Sequence, residues 1–66
     1  MRFSQWIRDY TGLTLYDFRV LDLDGTSEKQ VRELFAAWIE DARPVPSLIT
    51  QAMIDAAAQG FEIVPY

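Results

Sequence analysis

Two aspartates near the middle of the chain, Asp22 and Asp24, have the type and spacing that suit chemistry on a phosphate group. They close an apolar run and are followed by Gly25 and Thr26, a glycine turn and a hydroxyl. Alternate residues of a strand point to the same face, so two carboxylates at a strand end reach one phosphate. The pattern is therefore typical of phosphoryl transfer.

The segment Val20–Thr26 resembles the first motif of the haloacid dehalogenase superfamily of phosphatases and phosphotransferases. The resemblance covers Phe18 to Thr26. It implies that Asp22 is the nucleophile, that Asp24 is the acid and base, and that the motif ends a parallel strand. It also implies a magnesium ion held by Asp22 and by the backbone carbonyl of Asp24.

That family also uses a hydroxyl on a second strand, a distant lysine and further acidic residues. The single lysine of this chain, Lys29, follows the motif by one helical turn. A turn from a strand into a helix explains the same residues, because Asp-Gly is typical of a turn and a hydroxyl is typical of a helix N-cap. We therefore predict a protein that is not an enzyme and takes no cofactor. The alternative is a magnesium-dependent phosphotransferase remnant in which Asp22 and Asp24 are catalytic.

Composition limits the chemistry further. The 66 residues include no cysteine and no histidine, and half of them are apolar. The missing histidine removes the commonest general base and the commonest ligand of transition metals. We predict one domain, residues 1–66, with no metal site.

The charge balance indicates the kind of partner. The chain has ten acidic and six basic residues, which give a net charge of −4. The absence of a basic stripe argues against direct binding of nucleic acid or an anionic membrane. No apolar run approaches the roughly 20 residues that span a bilayer, and Met1–Tyr10 does not read as a secretory signal. The sequence thus predicts a cytoplasmic protein whose partner is a protein with a basic surface.

Hydrophobic spacing predicts helices at both sides of the aspartate motif. Four residues, Phe3, Trp6, Ile7 and Tyr10, share one face of a short helix and are expected to pack in the core or at its rim. A helix over Ser27–Ala42 starts with a capping box formed by Ser27 and Gln30. A further helix begins near Ser47 and ends at Gly60, a left-handed cap on which Phe61 folds back.

The remaining segments favour strands. Over Leu15–Leu23 strand formers alternate with charged residues, apart from one slip at Val20–Leu21 that suggests a β-bulge. The same segment also offers apolar residues at helical spacing, which leaves the helix as an alternative. A second short extended segment is predicted over Phe61–Val64.

We therefore predict an α+β fold in the order helix, strand, helix, helix, strand, with a two-stranded sheet packed on the helices. The alternative is a small all-α bundle. Two strands leave exposed edges, which must be covered by helices or paired with another chain. The expected pairing is a homodimer or a strand added by a partner.

A group of carboxylates supplies the candidate binding surface: Asp17, Asp22, Asp24, Glu28 and Glu33. If they share one face, that face suits a basic groove, including one built for nucleic acid. The leading hypothesis is a small non-enzymatic interaction module, in its sharpest form a phage-type inhibitor that mimics DNA. A structural homo-oligomer is the other alternative.

Overall fold

The computed structural model describes residues 1–22 and 25–63, and every regular element within them is an α-helix. The helices, in chain order, are α1 (Phe3–Thr11), α2 (Leu15–Val20), α3 (Ser27–Ala42) and α4 (Pro46–Ala58). The predicted α+β fold with a two-stranded sheet is therefore wrong, and the all-α alternative describes these residues.

Most of the segment predicted as the first strand forms helix α2, and the predicted β-bulge at Val20–Leu21 does not form. Leu23, the last residue of that predicted strand, lies outside the described residues. Thr14 and Asp17 form a capping box around the first turn. The Thr14 hydroxyl accepts from the Asp17 N–H at 3.1 Å, and the Asp17 carboxylate accepts from the Thr14 N–H at 3.0 Å. These bonds satisfy backbone donors locally, as a helix start requires. The alternating pattern did not separate a strand from a helix, because the same sequence also places Leu15 and Phe18 on one helical face.

The second predicted strand is also wrong where the structure describes it. Residues 61–63 have no regular structure, and Val64 lies outside the described residues. Phe61 and Ile63 are buried instead, as part of the core. Their apolar character reflects packing against helices rather than pairing in a sheet.

The end of α4 confirms the predicted glycine cap. Gly60 has a φ of 84°, the left-handed region that glycine enters without steric cost. The Gly60 N–H donates to the Ala57 carbonyl at 2.9 Å, and the Phe61 N–H donates to the Ala56 carbonyl at 2.9 Å. These two bonds form a Schellman motif, and they turn Phe61 into the core.

The predicted bounds of α3 are confirmed, but its predicted capping box is not observed. Thr26 is the N-cap and makes no side-chain capping bond, while Ser27 is already the first helical residue. The Ser27 N–H instead donates to Asp22 Oδ1 at 3.3 Å. The Asp22 carboxylate therefore accepts the hydrogen bond that the predicted capping box assigned to the Gln30 side chain.

An aromatic cluster joins α1 to α3 at the centre of the molecule. The ring of Phe3 lies 5.2 Å from that of Trp38 and 5.5 Å from that of Phe35, and all three side chains are buried. The Trp38 indole N–H donates to the Met1 carbonyl at 3.1 Å, which satisfies its buried donor. Ala52 and Ala56 of α4 complete the core, where their small side chains permit close approach.

Within the described residues no helix has the length and apolar character needed to cross a membrane. These residues also contain no sheet edge, so the homodimer predicted from paired edge strands loses its structural basis there.

Candidate docking groove

A surface groove runs along α2 and α3, beginning beside the C-terminal end of α1. It consists of two depressions of about 270 and 500 Å³ that share Leu13, Phe18 and Gln30 as lining residues. The smaller one extends to Leu21 and the start of α3, and the larger one extends to Ala37. We call these two neighbouring depressions together the α2–α3 groove.

The floor of the groove is apolar and is fixed by the turn between α1 and α2. Phe18 and Leu34 are half-buried and pack against the core. Leu13 is held by Thr11, whose hydroxyl donates to the Ile7 carbonyl at 2.6 Å and accepts from the Leu13 N–H at 3.1 Å. The turn therefore leaves Leu13 half-buried at the surface, where it lines the groove.

An exposed aromatic ring forms one end of the groove. Tyr10 stacks on Trp6 with the ring centroids 4.9 Å apart and the planes 8° from parallel, yet Tyr10 stays 70% exposed. One ring face therefore lies on Trp6 and the other faces solvent. The Trp6 indole N–H donates to Asp41 Oδ2 at 2.9 Å, which places a carboxylate beside the aromatic pair.

The opposite end of the groove is polar. Asp22 and Ser27 line it, and their contact neutralises part of the positive end of the α3 dipole. The Ser27 hydroxyl is buried and makes no hydrogen bond. Burial of such an oxygen is unfavourable, because its hydrogen bonds to water are lost and no hydrogen bond within the protein replaces them.

The structure describes four of the five carboxylates predicted as one binding face, and these four have different surroundings. Asp22 and Glu33 line the α2–α3 groove. Asp17 is engaged in the cap of α2, and Glu28 forms an ion pair with Arg32 at 2.9 Å, one turn further along α3. Asp24 lies outside the described residues.

The arrangement around Asp22 differs from the one that the family resemblance implies. Asp22 follows helix α2 and a turn, not a strand, and its carboxylate binds the start of α3. The position of the predicted second catalytic carboxylate, Asp24, falls among the residues that are not described. Among residues 1–22 and 25–63, no group of three or more ligand side chains is placed to hold a metal ion.

Sequence reasoning missed the apolar part of the groove. Tyr10 was assigned to packing, Phe18 was placed within the predicted strand, and Leu13 was given no role. The signal that would have found them is the Thr14–Asp17 capping box, because a helix start at Thr14 puts Phe18 on the side that faces α3.

Comparisons with known protein families, with curated proteins and with solved structures find nothing that matches this chain.

Proposed function

We propose that this chain is a non-enzymatic interaction module that acts by protein–protein contact, and that its docking surface is the α2–α3 groove. One observation carries the proposal. Three apolar side chains, Leu13, Phe18 and Leu34, line depressions that are open to the surface, and the carboxylates of Asp22 and Glu33 flank them. Apolar floors with polar rims are the usual anatomy of protein-binding sites.

The groove supports this role better than the acidic residues alone do. Mimicry of DNA, the sharper version of the hypothesis, depends on an array of free carboxylates. Asp17 and Glu28 already have partners within the chain. Glu33 lines the groove and forms no hydrogen bond or ion pair within the described part of the chain, so its carboxylate instead suits a rim that orients a partner of opposite charge.

The experiment that tests this role uses two exposed tyrosines as matched positions. Tyr10 lies in the groove and Tyr16 lies outside it on α2, with exposures of 70% and 62%. A photoreactive phenylalanine analogue replaces one or the other in cells of the native host. We expect a discrete crosslinked protein from position 10 and none from position 16. Equal products from both positions, or none from either, would contradict the proposal.

A second candidate is a structural homo-oligomer, and exposed apolar side chains on α2 favour it. Tyr16 and Val20 lie one helical turn apart and are 62% and 58% exposed. Such i, i+4 pairs form a stripe on which a second copy can pack. The net charge of −4 opposes this association, because identical copies repel each other.

The same crosslinking experiment separates the two candidates. A homo-oligomer built on α2 gives a product of twice the chain mass from position 16. Sedimentation then shows a mass that rises with concentration and falls to that of one chain in the Tyr16→Lys variant. A mass equal to one chain at every concentration excludes the oligomer.

A further inference from the structure

Resting on the proposed function, we infer that the partner segment in the α2–α3 groove is a cationic amphipathic helix. One of its arginines covers the exposed face of Tyr10. This names the chemistry of the partner, which the proposed function leaves open. Three observations carry it: the charge around the groove, the free aromatic face and the length of the apolar floor.

The charge around the groove is negative where a partner would meet it. Asp22 lies at one end, Glu33 lies along the side, and Asp41 lies beside the Trp6–Tyr10 pair. Within the described part of the chain Glu33 forms no hydrogen bond and no ion pair, so its charge is available. Carboxylates within about 8 Å of a partner cation act on it without full screening by physiological salt.

The free face of Tyr10 favours arginine over lysine. A planar guanidinium stacks on an aromatic ring and also donates several hydrogen bonds in its own plane. The Trp6–Tyr10 stack holds the ring in place, so little freedom is lost when a cation covers it. The nearby Asp41 carboxylate adds a negative charge beside the same pair.

The length of the floor fits a short helix. The groove follows α3 from Ser27 to Ala37, a distance of about 15 Å at 1.5 Å per residue. Apolar side chains at positions i, i+4 and i+7 of a partner helix span about 10 Å, which this floor accommodates. Strand addition, the other common mode, needs a sheet edge, and residues 1–22 and 25–63 have none.

The test uses two synthetic peptides and the full chain labelled with ¹⁵N. Each peptide is a 14-residue amphipathic helix with leucines at i, i+4 and i+7. One carries arginines on the flanks of the leucine stripe, and the other carries citrulline, the uncharged isostere, at the same positions. Two-dimensional NMR titration reports both the affinity and the backbone amides that shift.

We expect the arginine peptide to shift the amides of Leu13, Phe18 and Leu34 and the citrulline peptide to bind at least about tenfold more weakly. Replacing Tyr10 by alanine lowers the affinity for the arginine peptide about fivefold, the size of an exposed cation–π contact. The matched Tyr16→Ala variant retains the affinity of the parent chain. Glu33→Gln weakens binding, whereas Glu62→Gln, an exposed control outside the groove, does not.

Each contrary result overturns the inference in a recognisable way. Equal affinity of the two peptides would show that the partner needs no cation, while the groove would remain a docking surface. Shifts scattered over the surface and insensitive to Tyr10→Ala indicate unspecific attraction between opposite charges. Groove amides that shift with concentration of the chain alone identify a second copy as the occupant. Failure of both peptides to bind rejects a cationic helix, and the crosslinking experiment still decides the proposed function.

Discussion

The roles of two polar side chains in the structure differ from the roles that the sequence predicted for them. Asp22 was selected as a nucleophile or as part of an acidic face, yet its carboxylate binds the first N–H of α3. Ser27 was selected as a cap, yet its hydroxyl is buried without a partner. The sequence predicted that Ser27 and Gln30 satisfy backbone donors at the start of α3, whereas the Asp22 carboxylate binds one of those donors. Sequence spacing did not reveal which oxygen does so, because the path of the intervening turn decides it.

At Ser27 we expect replacement by alanine to raise the free energy of unfolding by about 1 kcal/mol. The change removes a buried oxygen that has no hydrogen bond and leaves the backbone N–H on Asp22 intact. Urea unfolding of both chains measures the difference. A loss of stability in Ser27→Ala would show that the hydroxyl makes a stabilising bond in solution.

The helices differ in how far their sequences determine them. The periodic apolar residues of α3 and α4 and the glycine cap at Gly60 were sufficient to predict both helices, with the bounds of α3 correct. The segment of α2 was mispredicted because six residues span less than two turns, too few for periodicity to separate a helix from a strand. Local hydrogen bonds at Thr14 and Asp17 decide the outcome instead.

Helix α2 should therefore depend on its capping box. In Thr14→Ala the Asp17 N–H loses its acceptor, and we expect the free energy of unfolding to fall by about 1 kcal/mol. Chemical denaturation measures this loss. The control is Thr50→Ala, an exposed threonine inside α4, where alanine suits the helix and stability is unchanged or slightly raised. Equal effects at the two positions would argue against the capping box.

At the scale of the whole molecule, the core could be predicted and the groove could not. The apolar face of α1 already identified Phe3, Trp6 and Ile7, all of which are buried, although Tyr10 of the same face is 70% exposed. The groove arises where the turn at Gly12 sets α2 against α3, a packing relation that no local pattern encodes. Its rim was predicted in part, since Asp22 and Glu33 belonged to the proposed acidic face.

The central claim is that the α2–α3 groove is the docking surface, and filling the groove tests it most directly. Ala37 lines the groove and is exposed, while Ala57 is exposed on α4 outside it. We predict that Ala37→Trp abolishes the crosslink formed from position 10 and that Ala57→Trp retains it. Circular dichroism confirms that both variants keep their helices. An undiminished crosslink in the folded Ala37→Trp variant would contradict the account.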